Sequence, residues 1–176
     1  MTNAIEAALR RIAADLDSLP ASWALIGGFA VSARSEPRFT RDIDVCVLVA
    51  DDGGAERVVA ALVADGYRVH TLVEQDAVGR LTTVRMSAPP CGAAGVVTDL
   101  LFASSGIEAE IVAAAESLEI LPGLAAPVAR AGHLVVLKLL ARDDETRPQD
   151  AADLVAVRPV LSARDRSCQG WVLAGR

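Results

Sequence analysis

The segment most telling about this chain is Arg38-Phe-Thr40-Arg41-Asp42-Ile-Asp44-Val45, which follows the glycine pair Gly27–Gly28. Residues i and i+2 of a β-strand point to the same face of the sheet, so Asp42 and Asp44 are expected to lie side by side. Two unpaired carboxylates at the head of a buried strand would repel each other and lose hydration. A bound divalent cation offsets both the repulsion and the lost hydration. Mg²⁺ in particular commonly binds one or two carboxylates together with substrate phosphates. The segment therefore indicates phosphoryl or nucleotidyl chemistry.

The glycine pair upstream supports this interpretation. We expect a short strand over Ser22–Ile26, a tight exit at Gly27–Gly28 and a helix over Phe29–Arg34. A helix N-terminus after a glycine turn offers backbone N–H groups and a positive dipole end to a phosphate. Each signal alone has an ordinary explanation, because Asp-x-Asp pairs also cap turns and glycines also serve tight turns. Their combination at this spacing favours a phosphate-binding metal site.

Composition restricts the class of protein. The chain has 176 residues, is 52% hydrophobic and only 3% aromatic, so we expect one domain with a core of alanine, valine and leucine. No apolar run reaches the roughly 18 residues of a membrane span, and the polar N-terminus does not resemble a signal peptide. Three cysteines without metal spacing fit a reducing cytoplasm. The net charge of −6 argues against broad nucleic-acid binding but leaves room for a local arginine patch.

The order of elements predicts an α/β (α+β) protein, a mixed sheet with a helical C-terminal part. We expect a single domain over 1–176, with a sheet core at about 16–104, a helical part at about 105–160 and a poorly periodic tail at 161–176, either a shortened helix or disordered. The predicted helices are Ala4–Leu16, Ala55–Ala64, Ile107–Ala115, His133–Ala141 and one from Pro148 to about Val157. The predicted strands are Asp42–Val49, Tyr67–Val73, Leu81–Met86 and Val96–Phe102, with short extended pieces at Leu118–Leu121 and Pro127–Ala129 and a loop at Asp51–Gly54.

Two further blocks carry candidate functional residues. Asp99 interrupts the apolar strand Val96–Phe102 and is either an edge-strand aspartate or a third carboxylate beside the first two. Lys138, the single lysine of the chain, lies four residues before Arg142 on one helix face, where the two could clamp a triphosphate. The alternative is a solvated helix face, although the neighbours of Lys138 are valines and leucines. On the next helix Asp150 and Asp153 are three residues apart and so share one helix face, which could pack against Lys138.

The blocks Ala24–Val31 and Thr40–Val45 resemble the signature of the nucleotidyltransferase superfamily, whose fold is that of DNA polymerase β. Within that superfamily the chain resembles the AbiEii-type toxins, including the mycobacterial MenT-type nucleotidyltransferase toxins, from about Leu16 to Leu154. The resemblance implies a mixed-sheet nucleotidyltransferase fold and an active site on this chain's matching positions. These would be catalytic Asp42, Asp44, Lys138 and Asp153, metal-binding Asp42, Asp44 and Asp99, and nucleotide-binding Gly27, Gly28, Thr40, Arg41, Lys138 and Arg142.

The resemblance also implies an activity. We expect Mg²⁺-dependent transfer of NMP from an NTP to an RNA acceptor, the 3′ end of a tRNA, by the toxin of a toxin–antitoxin pair in the cytoplasm. Two alternatives stay open: transfer to a protein or a small molecule such as an aminoglycoside, and an inactive nucleotide-binding or interaction module. The inactive module predicts loss of a carboxylate or of the lysine, yet all are present.

Thr40 allows two interpretations. Strand alternation places it on the face of Asp42, where its hydroxyl would bond the glycine turn or a phosphate. Phosphorylation of Thr40 would instead add negative charge beside the metal ligands and exclude the triphosphate, which is one way for an antitoxin to silence the protein.

Overall fold

The computed structural model describes residues 4–37, 39–75, 80–89, 95–102, 106–140, 148–162 and 165. The helices are α1 (Ala4–Asp17), α2 (Gly27–Arg34), α3 (Asp52–Ala64), α4 (Glu108–Ala113), α5 (Ala131–Leu140) and α6 (Pro148–Val157), followed by a 3₁₀ turn at Arg158–Val160. The strands are β1 (Ser22–Ile26), β2 (Asp42–Leu48), β3 (Arg68–Gln75), β4 (Arg80–Ser87), β5 (Val97–Leu101), β6 (Glu116–Leu121) and β7 (Leu124–Val128).

The strands form one mixed sheet in the order β3-β4-β5-β2-β1-β7-β6. β2 pairs with β5 in parallel and with β1 antiparallel, so the strand that carries Asp42 and Asp44 is central. The β6–β7 hairpin joins β1 through a parallel contact between Leu25 and Val128. The predicted mixed sheet with helices after it is confirmed, and residues 116–128 extend the sheet beyond the expected core at 16–104.

Small aliphatic side chains build the core, as the low aromatic content predicts. The apolar stripe of α1 is buried at Leu9, Ile12 and Leu16, each at most 1% exposed. Ile43, Val45 and Val47 of β2 are fully buried, which fits the alternation of that strand. Each such side chain removed from water contributes about 1.5–3 kcal/mol to folding. This packing holds the central strands, and therefore the carboxylates on them, in place.

The loop predicted at Asp51–Gly54 is only partly a loop. Asp51 is the N-cap of α3, and its side chain accepts a hydrogen bond from the Gly54 N–H at 2.7 Å. The capping bond draws the next residues into the first helical turn, so α3 begins at Asp52. The helix ends at Ala64, as predicted, and is followed by Gly66, whose φ of +94° suits glycine. In the described part of the chain, no helix combines the length and apolarity required to cross a membrane.

Candidate active site

The register between β2 and β5 brings two of the predicted carboxylates together. In this parallel pair Asp44 lies opposite Asp99. Both line a cleft of about 220 Å³ with Gly27, Lys138, Asp150 and Thr83, and with the apolar side chains of Ile26, Leu101, Leu134 and Leu137. The cleft therefore joins the glycine turn, two carboxylates and the lysine, which are far apart in sequence.

Asp44 is the carboxylate whose ionisation is most disturbed. Burial raises its pKa to about 6, and the negative charges of Asp99 and, more weakly, Asp42 push it in the same direction. The ammonium group of Lys138 and a hydrogen bond from the Gly28 backbone N–H act in the opposite direction. The site therefore carries excess negative charge in a buried environment. A bound cation would relieve this repulsion.

Gly27 provides the space that Asp44 needs. Its φ is +61°, a left-handed conformation that L-residues with a side chain rarely adopt. A Cβ built on Gly27 would overlap the Asp44 carboxylate. Gly27 thus makes room for the carboxylate and Gly28 donates to it, so both residues of the predicted glycine turn shape the acidic site directly.

Asp99 is bound by an arginine that the sequence interpretation missed. Arg85 on β4 lies opposite Asp99 in the antiparallel β4–β5 pair. Its Nε donates to Oδ1 at 2.8 Å and its Nη2 to Oδ2 at 2.7 Å, a two-pronged ion pair. The hydrogen bond and charge of Asp99, with smaller contributions from Asp42 and Asp44, raise the pKa of Arg85. Only the strand register reveals this pairing, because nothing in the local sequence marks Arg85.

Lys138 is held between two carboxylates of α6. Its Nζ lies 2.6 Å from Asp150 Oδ1 and 2.8 Å from Asp153 Oδ2. Burial alone would lower the pKa of Lys138, but these two partners raise it overall, so the ammonium stays charged. The second oxygen of Asp150 is buried and, among the described residues, has no hydrogen-bond partner. The structure thus joins Lys138 to predicted Asp153 and adds Asp150, which the sequence placed on the same helix face.

The remaining predicted residues lie at the edge of the cleft or outside the description. Asp42 lines a neighbouring hollow together with Thr40 and Arg41. Thr40 Oγ1 donates to the Asp42 carbonyl at 3.3 Å, and the exposed Arg41 lies over the Phe39 ring at 5.8 Å from its centroid. Arg142 and most of the 161–176 tail lie outside the described residues.

The residues of the cleft fit Mg²⁺ as a two-carboxylate site. Within the described ranges, no group of three or more histidine, cysteine, aspartate or glutamate side chains is arranged to hold a metal ion. Asp44 and Asp99 nevertheless face one cleft, and burial together with the negative charge of Asp99 raises the pKa of Asp44. Because Mg²⁺ completes its shell with phosphates and water, this pair is a suitable ligand set.

Two solved structures share this architecture over most of the chain. The antibiotic-resistance factor ANT(2'')-Ia matches with a TM-score of 0.62 at 19% identity, over 96% of this chain and 89% of that one. The lincosamide antibiotic adenylyltransferase LnuA, in its lincomycin-bound structure, matches with a TM-score of 0.54 at 13% identity, over 89% of this chain and 98% of that one. At these identities the likeness defines the nucleotidyltransferase fold.

The sequence then identifies the family. The profile of the family described as "Nucleotidyl transferase AbiEii toxin, Type IV TA system" matches residues 7–158. The chain belongs to this family and is a nucleotidyltransferase toxin of a type IV toxin–antitoxin system, which implies an NTP substrate and an antitoxin partner. The predicted family, fold and enzyme class are confirmed.

No curated protein sequence matches the chain. A cytoplasmic RNA terminal U-transferase structure matches over 57% of this chain at 20% identity, with a TM-score of 0.42, and the chain spans only 30% of its length.

Proposed function

We propose that this toxin transfers NMP from an NTP to an RNA acceptor, the 3′ end of a tRNA, in a Mg²⁺-dependent reaction in the cytoplasm. The observation that carries the proposal is the pairing of Asp44 with Asp99 across β2 and β5, in a cleft shared with Gly27 and Lys138. A metal site next to a charged lysine suits nucleotidyl transfer, since such reactions depend mainly on positioning of the reactants and on electrostatic stabilisation of the transition state.

In the proposed reaction the acceptor hydroxyl attacks the α-phosphorus of the NTP. A new P–O bond forms, the bond to the β-phosphate breaks, pyrophosphate leaves and the hydroxyl proton passes to solvent. Mg²⁺ bound by Asp44 and Asp99, with Asp42 beside them, would favour the ionised hydroxyl and neutralise the leaving group. Lys138 keeps its charge through Asp150 and Asp153 and so offers a fixed positive group to the phosphates. Gly27 keeps the turn open around Asp44.

An RNA acceptor is the part of the proposal that depends on the family rather than on the cleft. The net charge of −6 makes wide contact with an RNA backbone unfavourable. A tRNA 3′ end is a single-stranded tip, and it can enter the cleft without such wide contact. Binding should therefore depend on a few arginines and only weakly on salt.

The test is a transfer assay with the purified protein. Each labelled NTP is incubated with total tRNA, total protein or an aminoglycoside, and the acceptor that gains label is identified. We expect label on tRNA at its 3′ end, with loss of activity in EDTA. Label on protein or on the aminoglycoside would replace the RNA proposal, and no label in any arm would favour an inactive binding module.

Substitutions at the carboxylates connect the assay to the cleft. Asp42→Ala, Asp44→Asn and Asp99→Asn should each abolish transfer while the protein remains folded. Asp65→Asn is a matched control, because Asp65 is an exposed residue at the end of α3, away from the cleft. Activity close to wild type in Asp44→Asn or Asp99→Asn would contradict the metal site.

A further inference from the structure

The ion pair between Arg85 and Asp99 places a positive side chain on a proposed metal ligand. Both oxygens of Asp99 accept from the Arg85 guanidinium, at 2.8 and 2.7 Å. A carboxylate held by both oxygens in this way presents fewer lone pairs to a cation, and a second positive charge beside it is repelled. The arginine and the metal therefore need the same atoms.

Arg85 is also able to leave. Its side chain is 49% exposed, whereas the Asp99 side chain is only 17% exposed. A half-exposed guanidinium regains water when it turns outward, so releasing the pair costs little compared with a buried ion pair. The more buried carboxylate stays in the cleft, where the parallel register with Asp44 holds its backbone.

The carboxylates that attract Arg85 are the same ones that would attract a metal cation. The charges of Asp42 and Asp44 act on Arg85 in addition to that of Asp99. Lys138, the positive side chain among the described residues that line the cleft, is already engaged by Asp150 and Asp153. Arg85 is therefore the positive group most directly matched to the carboxylates of β2 and β5.

We propose that Arg85 and a divalent cation compete for the carboxylate of Asp99, so that Arg85 lowers the affinity of the active site for its metal. Arg85 is a positioning residue in this scheme, because it acts through Asp99. The inference rests on the proposed metal site. It implies that the toxin requires a higher concentration of the free cation for metal loading than its carboxylates alone would, and that the phosphate ligands of a bound nucleotide offset this requirement.

The test is a Mn²⁺ titration of the metal-stripped protein, with free Mn²⁺ measured by electron paramagnetic resonance and no substrate present. Arg85→Gln removes the charge and should tighten Mn²⁺ binding by about 2- to 5-fold, the worth of one half-exposed ion pair. Arg85→Lys keeps the charge without the two-pronged geometry, so its Mn²⁺ affinity should lie between those of wild type and Arg85→Gln. It also remains informative if Arg85→Gln folds poorly.

Two controls separate competition from other effects. Arg57→Gln removes the same charge at the opposite end of β2, beside Leu48 and Val49, and should leave Mn²⁺ affinity unchanged. In an Asp99→Asn background, Arg85→Gln should lose most of its effect.

Weaker or unchanged Mn²⁺ binding in Arg85→Gln, with wild-type binding measurable, would overturn the inference and make Arg85 an orienting or neutral residue. The proposed function would survive that result. Failure of the wild-type protein and of both Arg85 variants to bind Mn²⁺ would remove the metal site itself, and with it both proposals.

Discussion

Gly27 must be glycine both for its backbone conformation and for the position of the Asp44 carboxylate. Its left-handed φ and the contact of its missing side chain with Asp44 are two separate demands for glycine. Gly123, in the turn between β6 and β7, shares only the first demand, because its φ is +73° and a Cβ built there would meet nothing within 4 Å. The two glycines form a natural matched pair.

Gly27→Ala should lose activity far beyond its loss of stability. Both Gly27→Ala and Gly123→Ala carry the left-handed cost of about 1–2 kcal/mol. Only Gly27→Ala must move the Asp44 carboxylate, and a displacement of about 1 Å at a catalytic group can reduce the rate about 100-fold. Urea unfolding and single-turnover transfer rates measure the two effects. Equal activity in the two variants would show that the position of Asp44 tolerates such a shift.

Asp44 should make the metal-stripped protein sensitive to pH. A carboxyl whose pKa rises from 3.8 to about 6 on folding binds its proton more tightly in the folded state. Its contribution to stability is therefore greatest below pH 4, falls as the pH rises from about 4 to 6 and is fully lost above. In EDTA, Asp44→Asn should be more stable than wild type above pH 6, by on the order of 3 kcal/mol, and equal to it near pH 4.

Thermal unfolding at a series of pH values in EDTA measures this difference. The exposed control Asp65→Asn should show no such pH-dependent gain. Added Mg²⁺ should stabilise wild type and leave Asp44→Asn unchanged, because ligand binding to the folded state is what raises stability. A stability gain for Asp44→Asn that is the same at every pH would contradict the electrostatic explanation.

At the scale of elements, Lys138 joins α5 to α6. Its side chain is 19% exposed, and its partners Asp150 and Asp153 are 8% and 0% exposed. Lys138→Met would leave two buried carboxylates without their cation, a change that typically costs about 3–5 kcal/mol. We expect α6 to lose amide hydrogen-exchange protection in this variant before the sheet does, together with a severe fall in turnover.

Leu140→Met on the same helix is the control for Lys138→Met, because Leu140 is 51% exposed and lies outside the residues that line the cleft. Lys138→Arg should retain part of the α6 protection yet not restore turnover fully, since a planar fork replaces a point charge. If hydrogen exchange in α6 and turnover are both unchanged, Lys138 has no functional role and the interpretation as a solvated helix face is correct.

The sequence predicts those elements whose signals are local. The stripe of α1, the glycine pair that opens α2 and the proline that begins α6 each act within a few residues, and the structure places these elements close to the predicted bounds. Strand pairing is different, since it depends on contacts between distant segments. The position of the β6–β7 hairpin beside β1 and the pairing of Arg85 with Asp99 follow from register, which no local pattern carries.

At the scale of the molecule, the sheet leaves β3 at one edge. Leu72 and Val73 on this strand are 57% and 48% exposed, and an exposed apolar edge invites pairing with another chain. We expect the purified protein to self-associate as its concentration rises and Leu72→Lys to shift it toward monomer without loss of transfer. Sedimentation velocity measures the shift.

Val155→Lys provides the control for Leu72→Lys. Val155 is 73% exposed on α6, so the substitution adds the same charge at an exposed apolar site that is not a strand edge. Equal effects of the two substitutions would assign the association to net charge rather than to β3.

The parallel pairing of β2 with β5 has a consequence for how the toxin is made. After β2, the chain must complete α3, β3 and β4 before Asp99 can meet Asp44, and Lys138 follows later still. Pairings between segments so distant in sequence form slowly, because the intervening chain must first be ordered. A nascent polypeptide that stalls on the ribosome at β4 can pair β2 with β1, but it holds Asp42 and Asp44 without β5 and therefore without Asp99. Such a fragment lacks both Asp99 and Lys138, so under the proposed function toxic activity arises only after β5 and α5 have been added to the chain.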